Sequence, residues 1–425
     1  MYFSPSRGPA RKRLVGRLNQ PVVRLSAGHA CVDVYQGAVA ALVPFFVAER
    51  AYTYAAASGL VLAASLLSSV AQPLFGMLTD RWVLPWLLPV STLVAGCGVA
   101  LSGATHSYTL TLVFLAVSGI GVAAYHPESA RIARVAGGGD HRAMGWFSLG
   151  GNLGFALAPL LVTAVVAMGG LSLSPLLVVP AVVGSVLCLP VLRGMRRPTE
   201  TSKSVTPPAV EVRRDDVRSF VGLALAVVFR SIAFVGLSTF LVFHAQEQVG
   251  GGAGPAAVGA GALFVLYAGG AVGTVVGSRL TARWDRVRIV RVSYLLTVVA
   301  VAGVVFVPGP AFFVCVALTS IGLYVPFSLQ VTLAQDYLPS RVGTAAGITL
   351  GLTVSVGGLA GLVIGGLADA TSLQLALAPL ILMPLLSWLS FRTLAEPAIA
   401  VGSASAVGSA SAPGPEVREP ERDAA

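Results

Sequence analysis

The chain has 425 residues, 55% of them hydrophobic and 11% charged, with a mean hydropathy of +0.82. A soluble domain carries roughly 25% charged residues, so this composition excludes an ordinary soluble enzyme, a nucleic-acid binder and a disordered chain, and calls for a bilayer as solvent. The excess of 28 Lys+Arg over 18 Asp+Glu then reads as loops kept on the cytoplasmic side.

In chain order, a basic segment (residues 1–23, with Arg11, Lys12 and Arg13) leads into the first apolar run. That run is too long for a signal peptide and lacks a small-residue cleavage site, so it is expected to persist as a helix. Crossing the hydrocarbon takes about 20 residues. Twelve runs qualify: 24–48, 54–78, 86–104, 108–128, 143–168, 172–192, 218–244, 256–280, 288–307, 311–334, 343–367 and 373–391. The expected fold is an all-α membrane protein with six helices in 24–192 and six in 218–391. A basic cytoplasmic loop, 193–217, separates the two bundles. The Ser/Ala/Gly/Pro-rich tail, 392–425, turns acidic at Glu416, Glu419, Glu421 and Asp423 and reads as disordered. With a cytoplasmic N-terminus, the inner segments hold 26 of the 28 Lys+Arg, the outer loops hold Arg50, and Arg230 lies within the seventh run. Both termini are therefore expected on the cytoplasmic side. Cys31, Cys97, Cys188 and Cys315 are scattered through apolar runs and read as small hydrophobes.

The halves echo each other. Gly76-Met77-Leu78-Thr79-Asp80-Arg81-Trp82 and Gly277-Ser278-Arg279-Leu280-Thr281-Ala282-Arg283-Trp284 are offset by 201 residues, and Tyr125-His126-Pro127 and Tyr324-Val325-Pro326 by 199. Similar offsets in the same order indicate a duplicated six-helix unit.

Gly76-x-Leu78-x-Asp80-Arg81 resembles the signature between the second and third helices of the major facilitator superfamily, although Val83-Leu84-Pro85-Trp86 replaces its usual basic continuation. Three further stretches are similar to the fosmidomycin resistance protein subfamily. They are Tyr125-His126-Pro127-Glu128-Ser129-Ala130-Arg131-Ile132-Ala133-Arg134, Gly150-Gly151-Asn152-Leu153-Gly154, and Gln335-Asp336-Tyr337-Leu338-Pro339 with the following Arg341-Val342-Gly343-Thr344-Ala345. The resemblance implies proton-driven export of a small toxic molecule, such as a phosphonate antibiotic, across a bacterial inner membrane by a monomer. It also implies that Asp80, Arg81 and Gly76 form an inner gate, in which Asp80 meets the start of the eleventh helix or pairs with Arg131 or Arg134. On the same fold, a proton symporter importing an organic anion or a sugar is the alternative.

Charges within spans are costly and therefore mark function. His29 and Asp33 share a face of the first span, with Gln36 further along. Asp33, about nine residues in, lies roughly 14 Å deep. It is expected to couple protons, with His29, His126 and Glu128 as further proton sites. The competing reading is a static pair of Asp33 with His29 or Arg230. Arg230, 201 residues after His29, is placed to clamp an anion with two parallel hydrogen bonds. Tyr35, Gln36, Gln72, Asn152, Tyr324 and Gln330 are expected to complete the polar lining. His126-Pro127-Glu128 is expected near the cytoplasmic end of its span, with Glu128 and Arg131 able to pair, and His244 at the outer interface. No phosphate-binding loop, cofactor motif or metal-ligand spacing occurs, so an ion gradient, most simply of protons, is the expected energy source.

Overall fold

The computed structural model describes residues 20–82, 84–137, 141–195, 214–249 and 254–397. The N-terminal segment, most of the central loop and the tail beyond 397 lie outside the described residues, as does the side chain of Asp80. In chain order the helices are α1 (Gln20–Arg50), α2 (Tyr54–Arg81), α3 (Leu87–Ala104), α4 (Tyr108–Ala136), α5 (His141–Gly169), α6 (Val179–Met195), α7 (Val217–Val249), α8 (Pro255–Leu280), α9 (Arg286–Phe306), α10 (Ala311–Tyr337), α11 (Val342–Ala370), α12 (Leu373–Leu377) and α13 (Leu382–Phe391). No strand occurs among the described residues.

Local chemistry sets the boundaries. Thr53, Ser107 and Asp285 each accept a backbone N–H in the first turn of α2, α4 and α9, satisfying donors that have no intrahelical partner. Pro255 starts α8, where its missing N–H costs nothing. Ten helical stretches among the described residues are long and apolar enough to cross a membrane. One of them, the 48-residue run Gly145–Leu192, contains two of the expected spans. Within it a 3₁₀ segment (Gly170–Val178) joins α5 to α6, entered at Gly170 with φ +71°. The expected final span is likewise broken, into α12, a 3₁₀ turn (Ala378–Ile381) and α13. Val299 at 74% and Val363 at 73% exposure point outward. Apolar side chains so exposed on helices of this hydropathy face hydrocarbon.

α1 packs against α4, α5 and α6, and α7 against α8, α11 and α13; the pairs α2–α11 and α5–α8 cross between these groups. One apolar core is continuous from Phe46 on α1 through Leu241 on α7, Leu266 on α8 and Val304 on α9. It therefore joins the groups at the end where α1 and α7 finish. At the end where they begin, Leu223, Tyr294, Leu333 and Phe391 form a separate core. The groups are thus clasped at one end and divided at the other.

The clasp has a polar component. Asp369, at the end of α11, accepts the Tyr54 and Ala55 backbone N–H groups at 2.8 and 2.9 Å, capping α2 from 315 residues away. The Tyr54 ring meets Phe243 edge-on at 5.0 Å between centroids. A carboxylate at a helix N-terminus is favoured by the free N–H groups and the helix dipole. Asp369→Ala is expected to loosen this end. With Ser58→Cys as reporter, buried at 1% exposure beside α11, an impermeant maleimide should label the Asp369→Ala protein several-fold faster than the parent.

Candidate functional site

A cavity of about 480 Å³ lies between the two groups, lined by α1, α2, α4, α5, α7, α8 and α10. Asp33 is on one wall and Arg230 on the other. Each is thirteen residues into its helix, α1 or α7, which at 1.5 Å per residue is roughly 20 Å from the helix start. Asp33 is further from the start of its helix than the sequence suggests because α1 begins at Gln20 and not at residue 24.

The Asp33 wall is a three-residue cluster. His29 Nε2 lies 3.2 Å from Asp33 Oδ2, and His126 Nε2 lies 3.2 Å from Asp33 Oδ1. The far nitrogen of each ring is anchored on a backbone carbonyl: His29 Nδ1 on Phe147 at 2.8 Å and His126 Nδ1 on Val122 at 2.8 Å. The His29 ring stacks on Phe147 at 4.1 Å between centroids and an interplanar angle of 16°. Gly151 on α5 closes the cluster from the side. A Cβ there would come within 2.4 Å of Asp33 Oδ2 and 2.8 Å of His29 Nε2, so only glycine leaves room for the carboxylate.

His126 is a correction to the sequence reading, which set it near the end of its span. α4 continues past it to Ala136, and the turn containing Pro127 lies inside the helix. The ring faces Asp33 across the α1–α4 contact. Glu128, two residues on, turns away: it is fully buried and takes a two-pronged contact from Arg131, Nε at 2.9 Å and Nη2 at 2.5 Å. It does not line the cavity. Removing one partner of such a pair strands a buried charge. Arg131→Ala is therefore expected to cost about 3 kcal/mol, at the low end for a buried pair because the arginine is partly exposed. Glu128→Gln added to Arg131→Ala should restore part of it, read as melting temperature in detergent.

On the opposite wall Arg230 is 2% exposed, with its guanidinium 5.2 Å from the centre of the Phe327 ring. Phe234 and Tyr324 meet edge-on beside it at 5.2 Å. Tyr35, Gln36, Gln72, Asn152 and Tyr324 all line the cavity, although the Tyr35 hydroxyl donates to the Leu177 carbonyl at 2.9 Å. Gln330 does not line it: its amide donates to the Tyr294 hydroxyl at 2.7 Å within the α9–α10 contact. Sequence reasoning missed Phe234 and Phe327. They stand one turn after Arg230 and Tyr324 on the same helix faces, a spacing that could have revealed them.

The expected gate is described only in part. Arg81 ends α2 exposed, Arg134 is exposed on α4, and a Cβ at Gly76 would meet nothing within 4 Å. Arg131 is engaged with Glu128. His244, expected at an interface, is fully buried, with Nε2 3.0 Å from the Val304 carbonyl; α7 runs past it to Val249 and places it inside the clasp.

Spacing in the sequence shows no metal cluster, yet the fold brings donor atoms of His29, Asp33 and His126 within 4.8 Å of one another. Two imidazoles and a carboxylate can share either protons or a divalent transition ion.

The sequence model of the Major Facilitator Superfamily matches residues 25–362. The fosmidomycin resistance protein of Escherichia coli (strain K12) is 28% identical over 373 residues, covering 86% of this chain and 90% of that protein. The uncharacterized MFS-type transporter YfnC of Bacillus subtilis (strain 168) is 25% identical over 380 residues, covering 85% and 90%. Among solved structures, a bacterial homolog of the human lysosomal transporter Spinster, inward-facing and occupied, superposes with a TM-score of 0.70 at 15% identity, covering 91% of this chain and 97% of that one. The nucleoside transporter NupG, in a mutant form, superposes at 0.69 and 12% identity, covering 88% and 99%. At such identities the likeness is one of fold.

Proposed function

The chain belongs to the major facilitator superfamily, a multi-pass membrane transporter and not an enzyme, and we propose that it is a proton-coupled exporter of a small anionic toxic molecule. The observation that carries this reading is the pairing of two opposed sites in one buried cavity. Asp33 with its two imidazoles stands on one wall and Arg230 with its aromatic surround on the other. Charges in the hydrocarbon region are retained where they bind or relay ions. The cluster handles protons, and the guanidinium clamps a phosphonate or carboxylate. Likeness to the fosmidomycin resistance protein supports export of a fosmidomycin-like phosphonate.

In this reading twelve crossings form two six-helix bundles, 24–192 and 218–391, that rock about the cavity as a monomer in a bacterial inner membrane. The Lys/Arg distribution supports cytoplasmic termini. The clasped end is then outer, the divided end opens inward, and Asp80, Arg81, Arg131 and Arg134 serve the inner gate. Alternating access exchanges substrate for protons without ATP.

Labelled fosmidomycin is expected to accumulate in inside-out vesicles only under an acid-inside pH gradient, and Asp33→Asn should abolish that accumulation while the protein remains folded. Undiminished gradient-driven uptake by Asp33→Asn sinks the coupling role. Arg230→Lys keeps the charge but loses the parallel pair of donors, so apparent KM for the anion should rise about tenfold, equivalent to about 1.4 kcal/mol. An unchanged KM removes the clamp.

A further inference from the structure

We propose that His29, Asp33 and His126 form a binding site for a divalent transition-metal ion, open to the central cavity. The inference goes beyond the export reading and does not depend on it.

Two helices supply the donor set. His29 and Asp33 stand four residues apart on α1, the spacing by which one helix face presents two ligands. His126 arrives from α4. The fold brings one donor atom of each to within 4.8 Å of the others, and each Nε2 lies 3.2 Å from a carboxylate oxygen. An ion bound about 2.0–2.1 Å from imidazole nitrogens and about 2.0–2.2 Å from carboxylate oxygens sets such atoms roughly 3.3 Å apart in a tetrahedron. The nitrogen–oxygen spacing is therefore that of ligands around a shared ion.

The orientation of the rings carries the argument further. His29 Nδ1 lies 2.8 Å from the Phe147 carbonyl and His126 Nδ1 2.8 Å from that of Val122. A carbonyl oxygen only accepts, so Nδ1 is the donor in both rings, and a neutral ring so held presents the lone pair of Nε2. Both lone pairs then face one carboxylate. Acceptors cannot hydrogen-bond to each other, and in a buried site their repulsion is poorly screened. His29 Nε2 and Asp33 Oδ1 are buried and have no hydrogen-bond partner among the described residues. A cation shared by these atoms turns every contact attractive. Anchoring of the far ring nitrogen on a backbone carbonyl is also how metal-ligating histidines are held in tautomer and orientation. Stacking on Phe147, at 4.1 Å between centroids, fixes the His29 ring further.

Space and access fit an ion as well. Gly151 has no side chain where a Cβ would come within 2.4 Å of Asp33 Oδ2 and 2.8 Å of His29 Nε2. All three ligands line the cavity, and Arg230, the other charged side chain of that lining, is on the opposite wall. Three protein ligands leave at least one position for water or for an oxygen of an anion in the cavity. Imidazole nitrogens select zinc, cobalt, nickel or copper over magnesium and calcium.

The test uses the purified full chain without a polyhistidine tag, in lipid nanodiscs, stripped with a chelator and titrated with cobalt(II). One cobalt ion per chain should bind. X-ray absorption should show two imidazoles and a carboxylate oxygen in its first shell at about 2.0–2.2 Å. Zinc should displace the cobalt, and a large excess of magnesium should not. His29→Gln and His126→Gln should each weaken binding at least about tenfold, whereas His106→Gln, at an exposed loop position, should leave it unchanged. Melting temperatures report whether the variants are folded, and the absorption spectrum of the parent needs no variant. The proposal is overturned if the parent binds no stoichiometric cobalt, if the first shell holds fewer than two imidazoles, or if folded His29→Gln binds as tightly as the parent. These readouts need neither drug nor gradient. Stoichiometric cobalt in this shell without fosmidomycin uptake would refute the export reading alone. Gradient-driven uptake by a chain that binds no cobalt would refute the metal site alone.

Discussion

How closely α1 and α5 approach decides what the cavity can hold. A Cβ on Gly150 would stand 2.1 Å from the Ser26 carbonyl, and one on Gly154 would stand 1.9 Å from that of Ala30. The two backbones therefore touch at positions four residues apart, the small-residue packing that membranes favour where no hydrophobic force draws helices together. That approach delivers the Phe147 carbonyl to His29 and lays Gly151 against Asp33. A larger residue at 150 or 154 would lift α5 away and leave an imidazole nitrogen unpaired at the centre of the protein.

Beyond that contact, the polar groups are distributed unequally between the walls. The N-terminal helices supply the carboxylate and both imidazoles, and α7 supplies a guanidinium at the position 201 residues after His29. The two walls thus carry groups of opposite sign, a carboxylate with its imidazoles on one and a guanidinium on the other. The aromatic side chains of Phe234, Tyr324 and Phe327 surround the guanidinium with apolar surface. This surround lowers the local dielectric and strengthens any ionic contact made there. Among the described residues, packing is continuous at one end of the cavity and divided at the other.

Much of this could be read along the chain, for a reason that is physical and local. Hydropathy over about 20 residues reports a membrane helix whatever its neighbours. An acid or guanidinium inside such a run is rare enough to identify itself, and Asp33 and Arg230 were legible in this way. Gln330 and Glu128 had the same polar signature, yet each is engaged by a neighbour away from the cavity: the Gln330 amide nitrogen donates to Tyr294, and Glu128 accepts from Arg131. Composition says that a buried polar side chain needs a partner; it does not say which one.

The sequence by itself determined the solvent, the helical class, the approximate helix limits and the family likeness, because each depends on residues close together in the chain. Tertiary structure alone decided that His126 joins Asp33 from 93 positions away, that Asp369 caps α2, and that His244 lies inside the clasp. These outcomes depend on which faces of distant helices meet. Those faces are selected by backbone approach at glycines and by the requirement that every polar group in hydrocarbon find a partner.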